Sequence, residues 1–315
     1  MASPMFLLMP QWQGSPSSRA MQLAEGADAL REDLPKSALT EIAVPLEAGD
    51  AMGTPVARLS SLLRAREAAR TALEPILVEG RPPIIVGGDC ASSLPGIEAA
   101  VRTTGKLAVL WFDAHADLQH PSTSPSGAAS GMTLRHALGE GSPDLLAEPA
   151  LDPGALTLVG TRALDPEEVI DLERLEIDIV RATVSSPAAA ASTDAAGAGT
   201  DAAGASASTD ALHRAILDRI SGADGLYIHI DLDVLDPSEF SSVHAPEPFG
   251  LSIAALTGAI RAAVAAVPLA GAAICEFAPA DAHRAAEDLP TVLRILAALT
   301  SGSRAAEASD TGASE

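Results

Sequence analysis

The sequence predicts an α/β protein in which a central, mostly parallel β-sheet lies between two layers of helices. Two observations favour this fold class. Short apolar runs rich in β-branched and aromatic residues, typical of strands buried on both faces, alternate along the chain with segments of helical periodicity. The runs at residues 106–118 and 225–237 both contain closely spaced acids near the point where a strand would stop. The length of 315 residues is compatible with one domain at residues 1–300.

The individual elements follow from apolar periodicity and from the positions of proline. Strands are predicted at residues 4–10, as an edge strand, and at residues 82–86, 106–118, 155–160, 177–181, 225–237 and 272–277. Helices are predicted at residues 56–74, 166–175, 211–220, 253–267 and 290–299, with a short helix that ends at Leu138. Pro75 is expected to end the first helix, because the residue before a proline disfavours helical backbone angles.

Two segments are predicted to lie outside the packed domain. Residues 185–210 consist almost entirely of Ala, Ser, Thr, Gly and Asp, so they contain nothing large to bury. We expect them to form a disordered, low-complexity surface insertion. Residues 301–315 are expected to form a solvated, disordered tail.

Composition limits the partners of the protein. Its formal net charge of −22 argues against nucleic acid and anionic membranes, which would repel it, whereas a cationic small molecule would be attracted. The two cysteines, Cys90 and Cys275, are too few for a disulfide framework and fit a reducing compartment. No segment approaches the roughly 18 apolar residues of a membrane span. We therefore expect a cytoplasmic protein.

The acidic residues of the two long strands indicate a metal site. Asp113, His115 and Asp117 alternate with apolar residues, so they project to one side of an extended chain, and Asp231 and Asp233 do the same. Carboxylates that converge at one edge of a sheet repel each other unless a cation lies among them. A bound metal is the simplest explanation.

The types of ligand favour particular metals. Oxygen ligands with one imidazole suit Mn²⁺ best, with Fe²⁺, Co²⁺ or Zn²⁺ as alternatives. The competing interpretation is that Asp113 and Asp117 cap a helix while Asp231 and Asp233 open a turn. Because two such motifs occur, each on a buried strand, the metal interpretation is favoured.

Four motifs together resemble the arginase/agmatinase/formimidoylglutamase family of ureohydrolases. They are GGDC at residues 87–90, DAHAD at 113–117, HIDLDVLDP at 229–237 and EFAP at 276–279, and their order and spacing match over roughly residues 80–300. The resemblance implies a three-layer αβα fold and a homotrimer or hexamer. It also implies two Mn²⁺ ions per chain that share a bridging hydroxide, which attacks a guanidinium or amidine carbon.

The resemblance also assigns roles to residues. Asp113 and Asp231 would contact both ions, and Asp117, Ser130 and Glu276 occupy positions linked to catalysis. Glu276 would receive the cationic group of the substrate. The implied metal ligands are Cys90, Asp113, His115, Asp117, Asp231 and Asp233.

Two positions depart from the family pattern. Cys90 replaces a histidine, and its soft thiolate would favour Zn²⁺, Fe²⁺ or Co²⁺. Three accounts of Cys90 remain open: a working ligand, a site that binds one of the two ions weakly, or a buried cysteine in a degenerate enzyme. Ser130 replaces a histidine that transfers protons, a loss that typically costs about 10²- to 10⁴-fold in rate. His120 and His244 could take its place.

The substrate is predicted from the same resemblance. Asp165 and Ser126 fall at positions where arginases contact the α-amino and α-carboxylate groups, and Gln119 replaces the usual asparagine there, so arginine is the favoured substrate. Asp165 can equally be the N-cap of a helix that begins at Pro166. The sequence around Ser130 keeps formimidoylglutamase or agmatinase as alternatives, and a non-catalytic, metal-binding member of the family is a third. We interpret His229 as structural, and Asp89 and Asp236 as residues that orient ligands or form turns.

Overall fold

The computed structural model describes residues 2–181 and 200–302, so residues 185–199 of the predicted insertion and residues 303–315 of the predicted tail lie outside it. Eight strands in the described ranges form one parallel sheet with the order β2-β1-β3-β8-β7-β4-β5-β6. The strands are β1 (Met5–Leu8), β2 (Leu39–Glu41), β3 (Pro83–Val86), β4 (Leu107–Phe112), β5 (Leu156–Val159), β6 (Asp178–Val180), β7 (Gly225–Asp231) and β8 (Leu269–Cys275).

Helices cover both faces of the sheet, which confirms the predicted three-layer arrangement. One face packs on α1, α6, α7 and α8 through aliphatic side chains such as Ile228 and Ile230. The opposite face packs on α2 to α5, with Trp111 and Tyr227 among its buried side chains. The helices are α1 (Met21–Leu30), α2 (Leu59–Val78), α3 (Leu94–Thr103), α4 (Thr133–Ala137), α5 (Pro166–Arg174), α6 (Thr200–Ile220), α7 (Ile253–Ala266) and α8 (Ala282–Leu299).

Several predicted boundaries are wrong at prolines and at the sheet edge. β1 is not an edge strand, because β2, which we did not predict, pairs with its outer side. Helix α2 continues through Pro75, since a proline in the last turn removes only one backbone hydrogen bond. Helix α8 begins well before Pro290, because the side chain of Asp281 accepts a hydrogen bond from the N–H of Arg284 and caps an earlier start.

The predicted disorder is wrong for residues 200–210, which form the first half of α6. Alanine has the highest helix propensity, so an alanine-rich segment can extend a neighbouring helix although it has little to bury. Helices α1 and α3 were also not predicted. None of the helices in the described ranges is both long and apolar enough to cross a membrane.

The two long acidic strands are shorter than predicted. β4 ends at Phe112 and β7 ends at Asp231, so most of the acids lie in the turns that follow. Strand alternation therefore does not explain how Asp113, His115 and Asp117 come together. The turns after the strands do.

Candidate metal centre

Four adjacent strands direct their C-terminal ends to one edge of the sheet. β3, β8, β7 and β4 are neighbours, and the chain leaves them at Gly87, Glu276, Leu232 and Asp113. Because all four strands are parallel, the segments after them meet at the same edge. The candidate ligands converge there.

The turn after β3 places Cys90. Gly87 and Gly88 have φ values of 85° and 90°, and a Cβ on Gly88 would lie 2.6 Å from the carbonyl oxygen of Met9. The next residue, Asp89, is fully buried and accepts hydrogen bonds from the N–H groups of Gly14 and Ala91 at 2.8 and 3.0 Å. Asp89 thus fixes the turn that carries Cys90 without being a ligand itself.

Backbone hydrogen bonds orient the acids that follow β4. The N–H of His115 donates to Oδ1 of Asp113 at 2.7 Å, and the N–H of Ala114 donates to Oδ1 of Asp233 at 3.0 Å. Trp111 donates from Nε1 to Oδ2 of Asp113 at 3.1 Å. These contacts hold the turn after β4 against the turn after β7.

Two acids have left-handed backbone conformations. Asp117 has a φ of 53° and Glu276 has a φ of 64°. A non-glycine residue in this region costs roughly 1–2 kcal/mol, and such strain concentrates at functional sites. Both residues lie at the centre, which is consistent with selection for side-chain placement there.

The candidate ligand atoms form three overlapping groups in which all atoms lie within 4.8 Å of one another. Asp113, His115 and Asp233 form one group, in which Nδ1 of His115 lies 2.9 Å from Oδ2 of Asp233. A second group joins the Cys90 thiol, which donates to Oδ2 of Asp231 at 3.0 Å, with Glu276. The third group contains Cys90, Asp113, Asp117 and His229.

The centre holds more negative charge than its surroundings can pair. Burial and then the charge of Asp233 raise the pKa of Asp113 to about 6. Burial, followed by acidic neighbours, also raises the pKa values of Asp117, Asp231 and Glu276 well above their usual range.

The histidine and the cysteine of the centre respond to these acids in the same direction. Burial alone would lower the pKa of His115, but Asp113 and Asp233 outweigh it and raise that pKa to about 12. Contact with Cys275, burial and the charge of Asp231 raise the pKa of the Cys90 thiol. Each of these shifts favours the protonated form of its group when no cation is bound.

The chemistry of the donor set fits a divalent cation. Oδ2 of Asp117 is buried and has no hydrogen-bond partner within the described part of the chain. Both ring nitrogens of His229 also lack a hydrogen-bond partner in this part of the chain. Burial lowers the pKa of His229 to about 3, so its imidazole is neutral. An ion would pair with the Asp117 carboxylate and with one ring nitrogen of His229, and it would hold the carboxylates and the thiolate deprotonated.

A cleft of about 870 Å³ opens onto this centre. Asp113 is fully buried beneath it. All other residues that sequence reasoning assigned to the site line its walls: Cys90, His115, Asp117, Gln119, Ser126, Ser130, Asp165, Asp231, Asp233 and Glu276.

The predicted substrate residues all line the cleft, and two of them are in contact. Nε2 of Gln119 donates to Oδ2 of Asp165 at 3.0 Å. Asp165 also caps α5 in a capping box with Glu168, which confirms its interpretation as an N-cap, and it lines the cleft as well. Oγ of Ser126 accepts from the N–H of Ala128 at 3.2 Å. The backbone N–H of Ser130 donates to the carbonyl oxygen of Gly14 at 3.0 Å.

The two histidines considered as replacements for the missing proton-transfer residue differ in position. His120 lies outside the cleft, where its Nδ1 contacts Ser122. His244 lines the cleft, and its Nδ1 lies 3.9 Å from Oε2 of Glu276. Only His244 is placed to reach a substrate.

Sequence reasoning missed three supporting residues and a candidate ligand. Arg162 donates to the carbonyl oxygens of Asp233 and Glu247, both at 2.8 Å, and so ties two loops of the cleft together. Glu168 accepts from the N–H groups of Leu118 and Asp165, and Glu247 lines the cleft near His115. Local sequence gave no signal for these contacts, which join distant segments. For His229 the signal was present, because it alternates with Asp231.

Comparisons with known proteins agree on one family. The family model of the arginase family matches residues 19–298 of this chain. An arginase from Bacillus caldovelox is 28% identical over 198 residues, which make up 62% of this chain and 60% of that relative. The matched segment therefore spans less than two thirds of the relative.

Solved structures show the same fold. Entamoeba histolytica arginase in complex with L-ornithine gives a TM-score of 0.76 at 21% identity, covering 94% of this chain and 98% of that one. Formimidoylglutamase from Bacillus subtilis gives a TM-score of 0.69 at 18% identity, covering 96% of this chain and 87% of that one.

Proposed function

Because the chain belongs to the arginase family, we propose that it is a metal-dependent hydrolase that cleaves a C–N bond of a guanidino or amidino substrate. Arginine is the favoured substrate, with ornithine and urea as products. The observation that carries this proposal is the group of buried carboxyl, imidazole and thiol side chains that meets at the floor of one cleft. Such a group supports hydrolysis because it can hold divalent cations beside a space of substrate size.

The proposed centre binds two ions per chain. One ion would be held by His115 and Asp233 and the other by Cys90 and Asp117, with Asp113 and Asp231 shared between them. When bound, such ions lower the pKa of water to near neutrality and supply a nucleophile. Mn²⁺ is the favoured metal, and the thiol of Cys90 makes Zn²⁺, Fe²⁺ or Co²⁺ the alternatives.

The residues of the cleft suit a cationic substrate. Glu276 is 8% exposed and lies next to the metal centre, where it can pair with a guanidinium group through charge-assisted hydrogen bonds. Asp165 can accept a hydrogen bond from an α-amino group, while Ser126 and Gln119 can contact a carboxylate. Their position in the lining of the cleft supports arginine over a substrate that lacks these groups.

Proton transfer requires a group other than Ser130, whose hydroxyl does not titrate near neutral pH. His244 is the histidine that lines the cleft beside Glu276. We assign it the delivery of a proton to the leaving amine. A substitution to asparagine should lower kcat more than it changes KM.

Formimidoylglutamase is the second candidate function. Ser130 stands where arginases have a histidine, and the structure also resembles a formimidoylglutamase. Agmatinase remains an alternative because agmatine shares the guanidinium group. A non-catalytic, metal-binding member of the family is the third candidate.

One experiment separates these candidates. Purified protein loaded with Mn²⁺, Zn²⁺ or Co²⁺ is incubated with arginine, agmatine, guanidinobutyrate and formiminoglutamate, and urea, ammonia and formamide are measured. Urea release from arginine supports the first proposal, and formamide release supports the second. Loss of all products in the variant Asp231→Asn would show that this centre performs the reaction.

The remaining expectations belong to the same proposal. A homotrimer or hexamer is the assembly that the family resemblance implies, and the free, buried Cys90 and Cys275 fit a cytoplasmic location. Mass photometry of purified protein tests the oligomeric state, and fractionation of the source cells tests the cytoplasmic location.

A further inference from the structure

We propose that His229 is a metal ligand and that it completes, with Cys90, Asp113 and Asp117, the position of one ion. The inference rests on the proposed function only in that it assumes a metal at this centre. It changes the composition of that position from the set that the motifs indicate. The imidazole of His229, on β7, would replace the imidazole of the histidine that the family pattern has at position 90.

The position of His229 supports this assignment. One ring nitrogen of His229, the Cys90 sulfur and one carboxylate oxygen each from Asp113 and Asp117 lie within 4.8 Å of one another. This is the largest of the three candidate groups within the described residues, and all four of its members are buried. A cation of ordinary ligand distance, about 2.0–2.3 Å, fits among donors at such separations.

The hydrogen bonding of His229 also indicates a missing partner. Its side chain is fully buried, and neither ring nitrogen has a hydrogen-bond partner among the described residues. A buried polar group without a partner typically costs about 1–3 kcal/mol. His136 is as buried, but its imidazole interacts with the backbone of Met132 and belongs to none of the candidate ligand groups. A metal bond would satisfy one of the two ring nitrogens of His229, and no candidate ligand group offers the same to His136.

Trp111 holds the ring of His229 in a fixed plane. The two rings stack with their centroids 3.6 Å apart and an interplanar angle of 9°, and the two residues are direct partners on β4 and β7. Trp111 also donates from Nε1 to Asp113. One indole thus orients two ligands of the same position, as residues around metal sites commonly do.

The proposed set combines a thiolate, an imidazole and two carboxylates. Nitrogen and sulfur donors bind Zn²⁺, Co²⁺ and Fe²⁺ better than Mn²⁺. The other position, with His115 and oxygen ligands, keeps its preference for Mn²⁺. The two positions of one centre should therefore differ in the metal that they select.

The test compares His229→Gln with His136→Gln, a matched loss of one buried imidazole outside the centre. Metal-free full-length protein is titrated with Co²⁺, and binding is followed by calorimetry and by visible absorption. We expect His229→Gln to weaken one of two binding steps by more than the roughly 10- to 100-fold that an outer partner of a ligand typically controls. His136→Gln should retain both steps.

Cys90→Ser identifies which step belongs to the proposed position, because it removes the sulfur-to-cobalt charge-transfer band. The step weakened by His229→Gln should be the step that carries this band. X-ray absorption of zinc-loaded wild-type protein gives an answer independent of any variant: scattering from two imidazoles per chain supports the proposal. Scattering from a single imidazole, or a titration of His229→Gln that matches that of His136→Gln, overturns it.

These outcomes are distinct from failure of the proposed function. If no product forms from any substrate of the panel but Co²⁺ binding depends on His229, the ligand assignment stands and the hydrolase proposal falls. If arginine is hydrolysed while Co²⁺ binding is insensitive to His229→Gln, the hydrolase proposal stands and the ligand assignment falls.

Discussion

Two buried charged regions of this molecule are built in opposite ways. Between α2 and α3, Glu98 accepts hydrogen bonds from Arg70 at 2.8 and 2.9 Å and forms an ion pair with Arg66. Arg66 also donates to the carbonyl oxygens of Asp144 and Leu146. At the metal centre, by contrast, carboxyl groups face one another with His115 as their main cationic neighbour. The fold pairs buried charge within its scaffold but leaves it unpaired where a cation would bind.

The largest expected effect comes from removing a shared ligand of the centre. Asp231→Asn should lower metal-supported activity by more than about 100-fold, since even outer partners of metal ligands typically control 10- to 100-fold. Steady-state rates and metal content per chain measure the effect. Unchanged metal content in the variant would mean that Asp231 is not a ligand.

The same chemical change should have opposite effects on stability in the two regions. Glu98→Gln leaves the buried Arg66 without its counter-charge and should destabilise the protein by about 3–5 kcal/mol. Asp113→Asn removes a charge that burial and the charge of Asp233 disfavour, and should stabilise metal-free protein near pH 7 by about 1–3 kcal/mol, given the rise of its pKa from 3.8 to about 6.

Urea unfolding with a chelator present measures both changes. A decrease in the free energy of unfolding for Asp113→Asn would contradict the view that the centre is electrostatically incomplete without metal. Adding Mn²⁺ to the same pair of variants sharpens the comparison, because metal should stabilise Glu98→Gln but have much less effect on Asp113→Asn.

The two departures from the family pattern give a smaller expected effect. Cys90→His with Ser130→His restores both residues of the motif and should raise kcat by about 10- to 100-fold, toward the lower part of the range for general acid–base catalysis. Wild-type protein assayed in parallel is the control. Activity that appears only in the double variant would mean that the natural chain is a degenerate enzyme.

The smallest expected effect is a pH dependence of metal-free stability, at most about 1.4 kcal/mol per pH unit for each group. Asp89 and Asp113 have pKa values raised from 3.8 to about 6. At pH values between 3.8 and about 6, the folded state keeps protons that the unfolded state releases. These two groups therefore make the free energy of unfolding fall as pH rises. Buried His136 and His229, with pKa values lowered from 6.5 to about 3, act in the opposite direction.

The pKa of His244 is also lowered by burial, but the six carboxyl groups with raised pKa values outnumber the three histidines, so the net stability of metal-free protein should fall as pH rises from about 4 to about 6. Bound metal should reverse the trend, because it requires deprotonated ligands. Unfolding curves at several pH values, with and without Mn²⁺, test both signs. The groups with raised pKa values are Asp89, Asp113, Asp117, Glu168, Asp231 and Glu276.

Sequence patterns predicted the layered fold because buried parallel strands have a strong apolar signal. They failed at β2, a three-residue strand that is only partly buried, and at α2 and α8, where proline was read as a boundary although the helix tolerates it. Boundary errors of this kind arise because tertiary packing overrides local preference.

For the site, sequence placed the acids at the correct edge but gave an incorrect local reason. Asp117 reaches the centre through a left-handed turn, not through strand alternation. His229 was interpreted as structural from the sequence. In the folded structure its ring lies within reach of Cys90 and Asp117. Its ring nitrogens have no hydrogen-bond partner among the described residues. Such information is not local in sequence, because it depends on the turns after β3 and β4 and on strand β7.

The most direct test of the account measures metal content together with thermal unfolding of the purified chain. Protein dialysed against Mn²⁺ or Zn²⁺ should contain close to two ions per chain and unfold at a higher temperature than chelated protein. A ligand present at 100 times its Kd stabilises by about 2.7 kcal/mol. Protein that takes up neither ion and unfolds at the same temperature with and without chelator would contradict the account.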